Sequence, residues 1–152
     1  MTGVVRILVD ADACPVKDEI YKVAWRHEVP VTIVSNSRIC IPEHALIDRI
    51  VVGDGFDAAD DWIAEASGAT SIVITSDILL ADRCLKVGAT VIAATGKPFT
   101  TSSIGAAIAT RAIMADLRAG GAQIGGPAPF SKTDRSQFLQ ALDRAVVQLR
   151  RR

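Results

Sequence analysis

The sequence predicts an α/β fold, in which a central, mostly parallel sheet of about five strands is flanked by helices, with a helical C-terminal appendage from about residue 102. Three observations lead there. First, short β-branched runs recur, at 4–9, at Ile50-Val51-Val52 and at 71–75, and they read as strands buried on both faces. Second, segments with helical spacing separate them, and β-α-β alternation implies parallel strands joined by crossovers. Third, all three runs end in aspartates: Asp10 and Asp12, then Asp54, Asp57, Asp60 and Asp61, then Asp77. Open α/β sheets place their sites at the carboxyl ends of strands, so these acids converge on one edge.

The elements follow in order. After the first strand, Cys14 precedes Pro15, which fits the first turn of a helix running to about His27. Val29 to Val34 reads as the second strand and stops at Ser-Asn-Ser, 35–37. A loop with Pro42 leads to a third strand near 49–52. Asp57 opens a helix to about Ser67, with Asp57 and Asp60 spaced as an acidic capping pair, and Gly68 closes it. The fourth strand, 71–75, is followed by a helix from Ile78 to Val87 that ends at Gly88, and Thr90 to Ala93 is a fifth strand. Residues 102–118 form a small-residue helix carrying Ile104, Ile108, Ile113 and Leu117, ended by Gly120-Gly121. The segment 125–135 then leads to a last helix with Phe138, Leu142, Val146 and Leu149 at helical spacing. There is no internal repeat and no long linker, so residues 1–152 read as one domain.

Composition excludes several classes. At 49% hydrophobic and 22% charged, the chain has the make-up of a globular protein rather than a disordered one. No 18-residue apolar run and no signal segment are present, so no membrane association is expected. Cys14, Cys40 and Cys84 form no C-x-x-C pair and His27 and His44 are scattered, which favours reduced thiols in a cytoplasmic protein over a disulfide or zinc framework. The zero net charge hides an asymmetry: residues 1–100 hold 14 acids against 9 bases, residues 101–152 hold 3 against 8. An acidic face beside a basic flank suits a polyanionic substrate, although solvated helix faces give the same count.

Ionised carboxylates about 4 Å apart repel by roughly 4 kcal/mol at an effective dielectric of about 20. A divalent cation between them, Mg²⁺ or Mn²⁺, relieves that cost with the oxygen ligands such ions prefer. Each acid also has a simpler explanation. Asp12 and Asp57 can cap helices, Asp77 or Ser76 can cap the helix after strand four, Asp61 can be solvated, and Asp82 can pair with Lys86.

Five ordered motifs, VDADACPVK (9–17), GFDAADDW (55–62), TSDILLAD (75–82), GKPFTTSSIG (96–105) and GGPAPFSKTDR (125–135), resemble the YaiI/YqxD family of uncharacterised bacterial proteins. That family is similar in turn, more distantly, to the PIN-like nucleases, through Asp10, through Asp57 or Asp60, and through Thr75-Asp77-Leu80-Ala81. The resemblance implies a PIN-like three-layer fold and hydrolysis of phosphodiester bonds, with single-stranded RNA as the substrate and Mg²⁺ or Mn²⁺ as the cofactor. In that reading Asp10, Asp60 and Asp77 hold the ion directly or through water, and Asp12 and Asp57 adjust or share its shell. Lys17, Arg38, Lys97 and Arg135 are candidates for phosphate contacts, and Ser35 and Asn36 for hydrogen-bond donors. The chain departs from the commoner PIN pattern in offering Asp rather than Glu on the central helix, and in showing no clear fourth acid beyond Asp82.

Other readings stay open. Asp10-Ala11-Asp12-Ala13 resembles the opening motif of haloacid-dehalogenase-type phosphatases, with Asp10 as nucleophile and Asp12 as acid/base. Ser35-Asn36 resembles their second motif and GDGFD (53–57) their late acidic motif, but only 16 residues separate Asn36 from Gly53, and none is a lysine. A receiver domain would use Asp57 as phospho-acceptor and Lys97-Pro98 as its switch, but Asp57 opens a helix instead of following a strand. A binding protein that keeps the metal or nucleic-acid contacts without turnover is the non-enzymatic reading. The small-residue helix at 102–118 could also seat a second copy in a homodimer.

Overall fold

The computed structural model describes residues 4–11, 14–53, 55, 57–121 and 130–151. The chain runs β1 (Arg6–Asp10), α1 (Lys17–His27), β2 (Val31–Ser35), β3 (Ile47–Val51), α2 (Ala58–Ala66), β4 (Ser71–Ile74), α3 (Ile78–Lys86), β5 (Thr90–Ile92), β6 (Pro98–Phe99), α4 (Ile104–Ala119) and α5 (Lys132–Arg150). The strands form one sheet in the order β3-β2-β1-β4-β5-β6, parallel except where β6 runs against β5. Thus the expected α/β sheet is present with one strand more. β6 is two residues long and contains a proline, which removes a ladder donor and is tolerated at a sheet edge. β2 and β3 are parallel neighbours joined by a loop without a helix.

Strand residues alternate between two helical layers, as a pleat of period two requires. Ile7, Val9, Ile33, Ile72, Ile74 and Ile92 face α1 and α5, where Ile20, Val23, Phe138, Leu142 and Val146 are buried. Leu8, Val34, Val73 and Val91 face Ile63 of α2, Leu80 and Cys84 of α3, and Ile104 at the start of α4. Three layers result.

The C-terminal helices differ from each other. α5 completes the core: Phe138, Leu142 and Val146 are fully buried, each contributing about 2 kcal/mol of transfer energy. Its N-terminus carries a capping box, in which Ser131 accepts from the Asp134 N–H and Asp134 from the Ser131 N–H. α4 buries only Ile104, and Ile113 and Leu117 are exposed. No described helix is long and apolar enough to cross a membrane.

The strand order sets where a site can form. From β1 the chain lays down β2 and β3 on one side, then returns to place β4 on the other side of β1. Helices leaving β1 and β4 therefore diverge and leave a crevice at the carboxyl ends of those two strands.

At the turn between β5 and β6, Gly96 has a positive φ of 88° and passes under α5, where a Cβ would lie 2.8 Å from the carbonyl carbon and oxygen of Gln137. Gly96→Ala should cost about 1 to 3 kcal/mol from backbone conformation alone, with displacement of α5 in addition. An unchanged urea midpoint would show that the turn does not constrain the helix.

Candidate functional site

The crevice is built around Thr75. The β1–β4 register pairs Val9 with Ile74, so the next step brings Asp10 beside Thr75. The Thr75 hydroxyl donates to Asp10 Oδ2 at 2.9 Å and accepts from the Asp77 N–H at 3.0 Å. Its own N–H donates to the Ile92 carbonyl at 3.3 Å, and the residue is only 3% exposed. One side chain thus ties the end of β1 to the turn that opens α3. Asp77 in turn caps α3, its Oδ1 accepting from the N–H groups of Leu79 at 2.9 Å and Leu80 at 3.1 Å. Asp10, Thr75, Ser76 and Asp77 line a cavity of about 210 Å³, with Cys14 on its wall. Burial pushes the Cys14 thiol up, so it stays protonated at neutral pH.

α2 brings the second pair of acids. Asp57 occupies its N-cap position without a side-chain capping bond, and Asp60 lies one turn on. Asp57, Asp60 and Asp77 share a hollow of about 320 Å³ with Arg83 and Arg111. Burial and then the negative charges of Asp77, Asp10 and Asp57 raise the Asp60 carboxyl from 3.8 to about 6. Three acids, from the end of β1 and the starts of α2 and α3, therefore act on Asp60. Among the described residues, no three His, Cys, Asp or Glu side chains lie close enough to hold an ion together.

The remaining expected residues have these positions. Asp12 and Asp54 fall outside the described residues. Asp61 pairs with Arg83 at 2.9 Å on the surface, and Asp82 pairs with Lys86 at 2.9 Å, the i,i+4 alternative. Lys17 Nζ donates to the Cys14 carbonyl at 3.0 Å. Arg135 braces α5 on the start of α1, donating to the Pro15 carbonyl at 2.7 Å and to Glu19 at 3.2 Å and lying 5.0 Å from the Phe130 ring centre. Ser35 is buried and its hydroxyl donates to the Ser37 carbonyl, while Asn36 and Arg38 are exposed beyond β2. Lys97 is exposed on the β5–β6 turn.

Sequence reasoning did not select Thr75, Arg83 or Arg111 as site residues. Thr75 opens the TSDILLAD motif (75–82), and its place opposite Asp10 follows only from strand order. Arg111 belongs to the basic C-terminal third, and that asymmetry was its one signal.

The profile of the family described as "Uncharacterized BCR, YaiI/YqxD family" matches residues 8–148. The chain is 71% identical to a "UPF0178 protein" of Sphingopyxis alaskensis over 146 residues, 95% of each chain. It is 60% identical to a "UPF0178 protein" of Nitrobacter winogradskyi over 147 residues, 97% of this chain and 94% of that one. A "UPF0178 protein" of Rhodopseudomonas palustris is 59% identical over 147 residues, 97% of this chain and 93% of its own length. No solved structure matches the chain.

Thr75→Val keeps the shape but leaves the Asp77 N–H without its hydroxyl acceptor and removes the donor to Asp10. It should cost about 1 to 3 kcal/mol in urea unfolding, with Thr75→Ser restoring most of it. Equal midpoints for wild type and Thr75→Val would show that the hydroxyl carries no structural role.

Asp60 gives a pH dependence. Because its folded pKa lies above the ordinary 3.8, the folded protein holds this proton longer than the unfolded chain. Stability therefore falls as pH rises from about 4 to about 6, and the cost persists above that. After allowance for solvent screening, Asp60→Asn should stabilise the protein by about 1 kcal/mol near pH 7.5 and by nothing near pH 4. Parallel stability–pH curves for the two proteins would contradict this assignment.

Proposed function

The chain belongs to the YaiI/YqxD family, and we propose that it is a divalent-metal-dependent hydrolase of RNA phosphodiester bonds, acting at the edge formed by Asp10, Asp57, Asp60 and Asp77. The observation that carries this reading is the hollow shared by Asp57, Asp60 and Asp77 at the sheet's switch point, where burial and the neighbouring aspartates, Asp10 included, raise the Asp60 carboxyl to about 6. Such an edge has affinity for protons, and by the same electrostatics for a cation. Mg²⁺ keeps several of its waters and takes one or two carboxylates. Asp10 with Asp60 or Asp77 meets that requirement without a cage of three direct ligands. The bound ion would supply charge neutralisation at a phosphate and a water of lowered pKa.

The protein's own groups do the positioning. Thr75 orients Asp10 by donating to Oδ2, and the α3 amides fix the Asp77 carboxylate through Oδ1. Arg111, in the same hollow as Asp57, Asp60 and Asp77, is placed to meet a phosphate arriving there. The free thiols Cys14, Cys40 and Cys84 fit a cytoplasmic setting, where RNA is also found. An aspartyl-phosphate enzyme built on Asp10 is less well supported, because no lysine lies in the 16 residues between Asn36 and Gly53.

Calorimetry with Mn²⁺ tests the site. Wild type should bind, and Asp10→Asn and Asp77→Asn should each weaken binding at least about tenfold, or about 1.4 kcal/mol. Asparagine is as good an N-cap as aspartate, so Asp77→Asn removes charge while keeping α3 capped. Single-stranded RNA should be cut by wild type with Mn²⁺ and spared by both variants. Metal binding without cleavage would point to a phosphatase or a non-catalytic binding protein, and absence of binding at millimolar Mn²⁺ would leave these acids as structural groups.

A further inference from the structure

Beside the acidic edge, a groove of about 690 Å³ runs between α4 and the β5–β6 edge. Its polarity is opposite to that of its neighbour. Lys97, Arg111 and Arg118 line it and no acid does, whereas Asp57, Asp60 and Asp77 line the adjoining hollow. The two meet at Arg111, which borders both, and the groove also reaches Ser76, which lines the cavity holding Asp10 and Asp77. Arg111 and Arg118 are two turns apart on one face of α4, about 10 Å along its axis at about 1.5 Å per residue. In the turns before Arg111, α4 presents short side chains, Ala106, Ala107 and Thr110, which leave room for a chain to lie against the helix, and Met114 lies between the two arginines. None of the ion pairs among the described residues uses Lys97, Arg111 or Arg118.

Unneutralised cations along an open groove, without acids among its lining residues, fit a polyanion with charges at regular intervals. A groove continuous with a carboxylate edge fits a polyanion that must cross that edge. We propose that this groove seats the phosphate backbone of single-stranded RNA, with Lys97, Arg111 and Arg118 contacting its phosphates and Arg111 handing the strand to the aspartates. The choice of RNA and the direction of travel rest on the hydrolase reading, while the groove's fit to a polyanion does not. The same arrangement accounts for the neighbouring charges: the strand is attracted along α4 and repelled at the edge unless a cation stands between.

The test is fluorescence anisotropy with a labelled oligouridine of about twelve nucleotides, in chelator so that nothing is cut. Wild type should bind with a salt slope near −2, since each phosphate contacted on a single strand contributes about −0.7. Arg111→Gln with Arg118→Gln should weaken binding at least tenfold and bring the slope to about −0.7, while Lys22→Gln, exposed on α1, should change neither. All three groove cations are side chains on exposed residues, and circular dichroism confirms folding of each variant. Equal affinities and slopes for wild type and the double variant would overturn the proposal. So would sedimentation showing that the substitutions act by dispersing a dimer packed through Ile113 and Leu117 of α4. Cleavage with Mn²⁺ is scored separately: groove-dependent binding in a protein that never cuts RNA would sink the hydrolase and leave the groove standing. Undiminished cleavage by the groove variants would do the reverse.

Discussion

The hydroxyl of Thr75 is the constraint on which the crevice depends. A threonine has one proton to donate, and here it goes to Asp10 on the neighbouring strand. Its lone pair takes the Asp77 N–H, and its backbone N–H reaches β5. Because the residue is buried, water cannot replace these bonds, and any loss leaves polar groups unsatisfied. The arrangement joins β1, β4, β5 and the start of α3 at one point. It also requires Asp10 to present an acceptor oxygen there, so the bond that holds the fold orients the acid that begins the proposed site.

That site carries an electrostatic strain that the fold does not relieve by itself. Asp10 and Asp77 are each tied to hydrogen-bond donors, which stabilise a carboxylate. Asp60 has no such compensation of comparable weight: the Arg83 charge lowers its pKa less than burial and three acids raise it. Arg83 is instead engaged with Asp61, one residue further round α2. Burial and the three acids thus bear on the Asp60 carboxyl. A bound cation, a proton or a substitution at Asp60 would each release that strain, which is why the proposed metal chemistry and the pH dependence of folding share one residue.

How much of this was legible depends on whether each feature is local. The α/β class, the positions of β1, β4 and α3, and the burial of Phe138, Leu142 and Val146 follow from periodicity, a property of adjacent residues. So does the placing of Asp10 and Asp77 at strand ends. β6 was not legible, because a two-residue strand has no period and Pro98 argues against it. The contacts of Arg135 with Pro15 and Glu19 were not legible either, since these partners are remote in sequence and their approach requires α5 to pack on α1. The bond from Thr75 to Asp10 is illegible for the same reason: it depends on β4 returning beside β1, which is topology.

α4 shows the converse, a helix whose sequence is hardly constrained by packing. Six of its sixteen residues are alanine, the strongest helix former, so it can hold its conformation while burying only Ile104. A helix supported in this way does not need its other positions to meet a core. Arg111 and Arg118 are therefore not explained by packing, and no ion pair among the described residues explains them by charge compensation. Their shared face is turned to a groove that opens on the acids, which sets two of the C-terminal cations beside the acidic edge. Three cations line the groove and three aspartates the hollow beside it, the hollow suited to holding a cation and the groove to holding the polyanion on which that cation would act.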